Sequence, residues 1–262
     1  MSFSLLQSIE TFLLHIMKQS NYEIKDISRW IESSNEFNCD RILLLYNNTN
    51  QSLSDYIMNN NVDVIVPEFD FHATQIKQFE TNTANNNLET SYNLIHNIRF
   101  LHIWKLLNDV KYEKVLVTDV RDVYFNNEPF DKIPNDMIVA SSEEIEYEKE
   151  SWNNRHMFLN LGIIGTELLS DKKIYNVGVF GGGGEYVKNI SRDIYLMSVG
   201  KQLVADQTSF NYLIQTSYKN NVLFTDLKDK FAVHLDVVSK GLVDFDLSTM
   251  KDYSIIHQYD RL

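Results

Sequence analysis

The chain has 262 residues, of which 44% are hydrophobic and 23% charged, and its formal net charge is −12. This composition suffices for a full hydrophobic core and excludes a wholly disordered chain, and the length fits one large α/β domain. The acidic balance disfavours nucleic acids and anionic membranes as partners, because both need clustered lysine and arginine. Cys39 is the single cysteine, which excludes an internal disulfide. No signal peptide or membrane-spanning segment is recognisable, and we expect a cytoplasmic protein.

The first part of the chain predicts alternating strands and helices. The N-terminal segment is interpreted as a helical turn followed by a core strand over residues 11–17, and residues 24–34 have apolar side chains at helical spacing. Buried strands are predicted over 40–47 and 62–69, with a short helix over 52–60 between them. Strands that are apolar almost throughout and separated by helices are typical of a mostly parallel sheet covered on both faces.

A polar loop over 80–91 and a long amphipathic helix over 92–110 lead into the stretch KVLVTDVRDVYFNNEPF. Its apolar start predicts a buried strand, and Asp119 and Asp122 follow where this strand ends. In an open α/β sheet ligands bind outside the carboxyl ends of the strands, so the two carboxylates are candidate ligands of a hard divalent cation. A turn cap for Asp119 and a surface ion pair for Asp122 remain open alternatives.

The stretch NVGVFGGGGEYV combines Asn176 with several glycines, among them Gly178 and Gly181. Glycine lets a backbone approach a ligand closely, so the segment is a second candidate for ligand binding, with a hairpin or a helix cap as the structural alternative. It lacks the Lys-Ser or Lys-Thr of a Walker loop and does not match the dinucleotide-binding fingerprint. An ATPase and a Rossmann dehydrogenase are therefore disfavoured.

Two further polar groups follow towards the C-terminus. Asp206 and Gln207 open a predicted amphipathic helix, in which Asp206 is either a site residue or a first-turn acid placed against the helix dipole. A later strand ends in His257, and Arg261 follows four residues on. Histidine is a common metal ligand and arginine binds phosphate, while ordinary strand termination explains the same pattern.

The order of these pieces resembles the GT-A fold glycosyltransferases over most of the chain. The turn from Asp119 to Asp122 is similar to the Asp-x-x-Asp variant of the metal-binding signature in procollagen glycosyltransferase domains. YNVGVFGG, DQTSFNYLI and HQYDR are similar, in this order, to the sugar-pocket segment, the Asp-Gln helix and the C-terminal histidine of glycogenin-like enzymes. No Lys-Pro-Trp follows His257, and the donor-loop residues differ.

The resemblance implies a single α/β domain over 1–262, with a mixed, mostly parallel central sheet flanked by helices. Residues 1–130 would form a nucleotide-binding half and 131–262 a half for the acceptor and the donor sugar. The implied activity is transfer of a sugar from a nucleotide-diphosphate sugar, in the first place a UDP-sugar, to a hydroxyl group of a glycan or protein. The glycogenin-like similarity favours retention of the anomeric configuration, and a homodimer is left open.

The resemblance also implies residue roles. Asp119, Asp122 and His257 would hold Mn²⁺ or Mg²⁺, which stabilises the departing diphosphate. Asp206 and Gln207 are the catalytic candidates. The implied donor-binding residues are Tyr22, Arg99, Asp119, Asn176, Gly178, Gly181 and Arg261.

The acceptor side is assigned to the segment 141–158, which is interpreted as charged and exposed. In it Trp152 is a candidate platform for a sugar ring and Arg155 a candidate partner. Two other functions are weighed against transfer: nucleotide-sugar binding without turnover, and a metal-dependent nucleotidyltransferase or phosphatase. The Asp-x-x-Asp spacing does not match haloacid-type phosphatases, and KQSNYE lacks the glycines of a nucleotidyltransferase loop.

Overall fold

A computed structural model describes residues 3–8, 23–45, 50–65, 88–199, 201 and 203–262, with the backbone alone for 3–8 and 88–95. The strands within them are β1 (Phe3–Ser8), β2 (Asp40–Leu44), β3 (Asp63–Ile65), β4 (Lys114–Asp119), β5 (Val123–Phe125), β6 (Ile138–Glu146), β7 (Lys173–Gly183), β8 (Val222–Thr225), β9 (Ala232–His234) and β10 (Ile255–His257). The α-helices are α1 (Ile24–Ser33), α2 (Gln51–Asn59), α3 (Leu88–Asp109), α4 (Ser151–Leu169), α5 (Gly184–Ser198), α6 (Asp206–Gln215) and α7 (Leu235–Ser239).

The central sheet has the strand order β3-β2-β1-β4-β7-β6-β8. Strands β3, β2, β1 and β4 are parallel, β7 runs antiparallel to both β4 and β6, and β8 is parallel to β6. The predicted mixed, mostly parallel sheet is thus confirmed. Strands from both predicted halves, 1–130 and 131–262, share this sheet, which agrees with a single domain; the assignment of the halves to nucleotide and acceptor stays a prediction.

A second, small sheet has the order β5-β10-β9. Strand β10 pairs antiparallel with β5 and parallel with β9. It brings the chain's last strand against the segment that follows the acid turn. The small sheet therefore connects the C-terminal part of the chain to the carboxyl end of β4.

Helices cover both faces of the central sheet because the side chains of β4 alternate between two cores. Leu116 packs in a cluster that contains Trp30 of α1, and Val115 and Val117 pack in another that contains Phe100 of α3. Successive side chains of a strand point to opposite faces, so an apolar run such as KVLVT needs a cover on each side. The predicted helical layers on both faces are confirmed.

The structure changes several element boundaries. A strand, β1, occupies Phe3–Ser8 where a helical turn was expected, because its backbone pairs on both sides with β2 and β4. Helix α3 begins at Leu88, inside the predicted loop 80–91. The predicted strand over 11–17 and residues 66–70 and 80–87 lie outside the described residues.

The segment 141–158 was wrongly interpreted as exposed. Its first part belongs to β6, which lies between β7 and β8, and Ser141, Ser142 and Glu143 are buried there. Its second part is the start of α4, which is capped by the buried Glu150 through the backbone N–H of Asn153. Sheet pairing on both edges of β6 overrides the local density of charge.

The glycine run at the end of β7 is explained by close packing. A Cβ atom at Gly183 would lie 1.8 Å from the carbonyl oxygen of Asn135, and one at Gly184 would lie 2.1 Å from that of Tyr112. Neither distance is compatible with a side chain, so the strand end passes directly against neighbouring backbone. The close approach of neighbouring backbone therefore accounts for glycine at these two positions.

Candidate functional site

Strand pairing brings Asp119, Asp122 and His257 together. Asp119 is the last residue of β4, and Asp122 directly precedes β5. Strand β5 pairs with β10 in the register that places Val123 opposite His257. The backbone N–H of Gln258 donates to the carbonyl oxygen of Asp122 at 2.7 Å and fastens the two segments. Residues more than 130 positions apart thus meet at the carboxyl end of β4.

The three side chains form a compact set of potential metal ligands. Their ligand atoms all lie within 4.8 Å of one another. His257 Nε2 is 3.6 Å from Asp119 Oδ2 and 3.8 Å from Asp122 Oδ1. This nitrogen is buried and has no hydrogen-bond partner among the described residues. A buried, unsatisfied nitrogen that faces two carboxylates fits a divalent cation held by oxygen and imidazole ligands.

The charges of this group influence one another. Burial raises the pKa of Asp122, and the neighbouring Asp119 adds to this effect. Burial acts in the same direction on Asp119, but His257 and Arg99 outweigh it and hold its pKa below the ordinary value. For His257, burial lowers the pKa, whereas Asp122 and Asp119 raise it above its ordinary value in total. The two acids thus favour the protonated form of His257, and a bound cation would compete with that proton.

Gly178 provides the space in which Asp119 lies. A Cβ atom at this position would be 2.5 Å from Asp119 Oδ2 and 2.9 Å from Asn176 Oδ1. Asn176 also accepts a hydrogen bond from the backbone N–H of Gly178 at 2.7 Å. The absence of a side chain at Gly178 therefore shapes the surroundings of a candidate metal ligand.

Arg99 joins this group to a second acid. Its guanidinium donates from Nη1 to Asp119 Oδ1 at 2.8 Å and from Nη2 to Asp206 Oδ2 at 3.0 Å. Arg99 and Asp206 are both buried, and Asp206 Oδ1 has no hydrogen-bond partner among the described residues. Burial acts to raise the pKa of Asp206, but His96 and Arg99 lower it, so the carboxylate is ionised. Arg99 balances the acids from inside the protein.

Glu143 forms a network that sequence reasoning missed. Its Oε1 accepts from Asn176 Nδ2 at 2.7 Å and from Gln207 Nε2 at 3.2 Å. Gln207 Oε1 in turn accepts from the backbone N–H of Val177 at 2.7 Å. Burial raises the pKa of Glu143 to about 7. Glu143 stands among four other glutamates in SEEIEYEKE, and the apolar run just before it was the one signal that it lies in a buried strand.

All these side chains line one cavity of about 300 Å³. Its walls include ten of the predicted site residues: Arg99, Asp119, Asp122, Trp152, Asn176, Gly178, Asp206, Gln207, His257 and Arg261. Charged residues that were not predicted also line it, namely Glu143, Glu150, Asp236 and Lys240. A cavity lined by many charged side chains is therefore present at the carboxyl end of β4, where ligands were expected.

Two predicted residues lie elsewhere, and a third is not among the described residues. Gly181 does not line the cavity; a Cβ atom there would be 2.9 Å from the carbonyl oxygen of Val115, which gives a packing reason for this glycine. Arg155 is exposed on α4 and is also not in the cavity wall. Tyr22 lies outside the described residues. The cavity wall thus gives no support to a role for Gly181 or Arg155, and the role of Tyr22 stays a prediction.

Trp152 and Arg261 stand at the open side of the cavity. Trp152 is 45% exposed, and its ring stacks on His156 with 3.9 Å between the ring centroids. Arg261 is also partly exposed, and its Nε is 3.5 Å from Asp260 Oδ1. An exposed aromatic face and an exposed cation are both accessible to a ligand that enters the cavity.

Neither a protein-family model nor a curated protein matches the sequence. The structure is similar to that of mouse xyloside xylosyltransferase 1 in its apo form, with a TM-score of 0.54. The match covers 99% of this chain and 98% of that chain, at 11% sequence identity. At this identity the likeness concerns the fold, and it confirms the expected GT-A fold. Among the described helices none has both the length and the apolar character needed to cross a membrane.

Proposed function

We propose that this protein is a metal-dependent glycosyltransferase that moves a sugar from a nucleotide-diphosphate sugar, in the first place a UDP-sugar, to a hydroxyl acceptor. The observation that carries the proposal is the group Asp119, Asp122 and His257, whose ligand atoms lie within 4.8 Å of one another in the wall of the cavity. In a GT-A fold this group stands at the carboxyl end of a central strand, which is where α/β sheets bind ligands.

The residues fit Mn²⁺ or Mg²⁺. Two carboxylates suit a hard cation, and one imidazole is compatible with Mn²⁺. A cation held by Asp119, Asp122 and His257 would stabilise the negative charge that develops on the departing diphosphate. The acidic net charge of the chain agrees with a cation-dependent site.

The other residues bind and orient. Arg261, exposed at the cavity edge, is available to a phosphate oxygen, whereas Arg99 is engaged by two carboxylates and keeps Asp119 and Asp206 in place. Asp206 remains ionised, and its Oδ1 has no hydrogen-bond partner in the part of the chain that the structure describes, which suits a hydrogen bond from a sugar hydroxyl group. Gln207 is held by Val177 and Glu143, so it gives the cavity wall a fixed shape.

A screen of nucleotide-diphosphate sugars tests the proposal. The purified protein is assayed for hydrolysis and transfer with and without Mn²⁺, and by thermal shift, since a ligand of the native state raises its stability by mass action. We expect one nucleotide sugar to be consumed only with the metal. Thermal stabilisation without any turnover would favour a binding protein, and no response to any nucleotide would overturn the proposal.

Substitutions then locate the activity. D122A and H257A should each lower the Mn²⁺-dependent rate by at least about 100-fold, because each removes a ligand of the proposed cation. D171A removes an exposed aspartate far from this group in the sequence and serves as the matched control. Unchanged rates in D122A and H257A would contradict the metal assignment.

Asp206 is tested by its neutral isostere. D206N should lower transfer by about 100-fold, because it removes the negative charge at the cavity wall, while donor binding measured by thermal shift survives. Full transfer by D206N would exclude Asp206 from catalysis.

A further inference from the structure

A second histidine lies directly behind the candidate metal ligand. His234 ends β9 and is opposite His257 in the parallel pair of β9 and β10. The Nδ1 atoms of the two rings are 2.9 Å apart, and the ring planes stand at 82° to each other. His234 Nε2 is 3.1 Å from Ser141 Oγ on β6. All three side chains are at most 2% exposed. They form a hydrogen-bonded chain from the central sheet to the cavity.

The 2.9 Å distance between the two Nδ1 atoms is that of a hydrogen bond, which requires one proton between the two nitrogens. Two N–H groups would collide at this distance and two lone pairs would repel, so one nitrogen donates and the other accepts. If His234 is the donor, a neutral His257 carries its proton on Nε2. If His257 is the donor, a neutral His257 has a bare Nε2 that faces Asp119 and Asp122.

The surroundings of Nε2 favour the second arrangement when a cation is present. The nearest carboxylate oxygens are 3.6 and 3.8 Å away, too far for good hydrogen bonds, so a proton on Nε2 would be a buried donor without a partner. With a bare Nε2, His257 and the two carboxylates all offer an electron pair to a cation. In this arrangement His234 accepts at Nδ1 and donates from Nε2 to Ser141 Oγ.

We infer that His234 is a positioning residue of the metal centre: it accepts the Nδ1–H of His257 and thereby directs the Nε2 lone pair towards Asp119 and Asp122. Ser141 anchors His234 in the matching tautomer. The inference rests on the proposed metal centre and adds two residues to it. A ligand histidine gains both orientation and basicity when its second nitrogen donates a hydrogen bond.

A purely structural role for His234 explains less of the geometry. A buried imidazole requires hydrogen-bond partners for both nitrogens, whereas an aliphatic side chain at the same position would require none. Both partners are present, and one of them is the candidate metal ligand.

Two variants of His234 separate hydrogen bonding from packing. H234L fills the space of the ring with an apolar side chain and removes the acceptor, whereas the Oδ1 atom of asparagine in H234N occupies the place of the imidazole Nδ1. We expect H234L to weaken Mn²⁺ binding, measured by electron paramagnetic resonance of free Mn²⁺, by about 10- to 100-fold. H234N should stay within about fivefold of the unsubstituted protein, and S141A should fall between these two variants.

The matched control is H156L, which removes a histidine on α4 that does not line the cavity and should leave Mn²⁺ affinity unchanged. Equal affinities for H234L and the unsubstituted protein would overturn the inference and leave the proposed function intact. If the unsubstituted protein itself does not bind Mn²⁺, the proposed function fails and the inference fails with it.

The tautomer is measured directly on the unsubstituted protein, so the test survives if H234L does not fold. In protein labelled with ¹⁵N-histidine and loaded with diamagnetic Mg²⁺, we expect the His257 Nδ1 to carry the proton and Nε2 to have the shift of an unprotonated ring nitrogen. A protonated Nε2 on His257 in the Mg²⁺-loaded protein would overturn the inference.

Discussion

The two walls of the cavity treat acidic side chains in opposite ways. On one wall a buried nitrogen of His257 and the carboxylates of Asp119 and Asp122 face one another, as the ligands of a divalent cation would. On the other wall Arg99 donates to both Asp119 and Asp206, so the protein supplies the positive charge. Asp119 belongs to both walls. The comparison shows that the partly exposed Asp119 and Asp122 face the cavity together with His257, whereas the fully buried Asp206 is paired with an arginine of the protein.

Removal of Arg99 should have the largest effect of the changes considered, because Asp119 and Asp206 both lose the arginine that pairs with them. R99M keeps the length of the side chain but removes the guanidinium that pairs with the buried Asp206, and His96 is then its remaining basic neighbour. We expect the free energy of unfolding to fall by about 3–5 kcal/mol, measured by urea denaturation. R155M, at an exposed arginine on α4, should change it by less than about 0.5 kcal/mol. A loss below about 1 kcal/mol in R99M would show that Arg99 does not hold these acids together.

Glu143 sharpens the comparison, because this buried acid is hydrogen-bonded to the amides of Asn176 and Gln207 and not to an arginine. Its pKa is raised from 4.5 to about 7 by burial, so the folded state binds a proton more tightly than the unfolded state. This contribution to stability is full below about pH 4.5 and is lost as the pH rises to about 7, with a size of at most about 3 kcal/mol.

The isosteric variant E143Q cannot titrate at this position. Between pH 4.5 and 7 its stability should therefore decline less than that of the unsubstituted protein, as followed by thermal denaturation at several pH values. Parallel pH profiles for the two proteins would show that Glu143 ionises normally.

A substitution at Gly178 tests the position of Asp119, the residue that the two walls share. In G178A the new methyl group would displace Asp119, and we expect Mn²⁺ affinity to fall by about tenfold, since misplaced ligands and lost supporting contacts have effects of this order. G181A introduces a similar steric conflict in the same strand, against Val115, but away from Asp119. It should lower thermal stability and leave Mn²⁺ affinity unchanged. If G178A and G181A bind Mn²⁺ with equal affinity, Gly178 has no specific role in shaping the metal site.

The sequence predicts the layered fold well, because apolar strands and amphipathic helices alternate with a clear period. Strand β4 and helices α1 and α6 lie where their patterns place them. The N-terminal strand and β6 were misassigned, since neighbouring strands decide their structure. Glu143 in particular lies in a charged stretch whose burial follows from pairing with β7 and β8 and not from its own pattern.

The site was predictable where the chain order of motifs carries information. Asp119, Asp122, Asp206 and His257 were identified in this way and line one cavity. His234, Ser141 and the double contact of Arg99 were not accessible, because each depends on the register of strands or on the direction of one side chain. No spacing in FAVHLD indicates that His234 lies 2.9 Å from His257.

The central claim is that Asp119, Asp122 and His257 bind a divalent cation. A titration of Mn²⁺ against the unsubstituted protein and against D122A tests this claim most directly. Isothermal calorimetry at neutral pH should show one saturable site in the unsubstituted protein and a loss of affinity of at least about tenfold in D122A. Release of protons on binding is expected as well, because the cation displaces a proton shared by His257 and the acids. No saturable binding, or equal affinity in both proteins, would contradict the account.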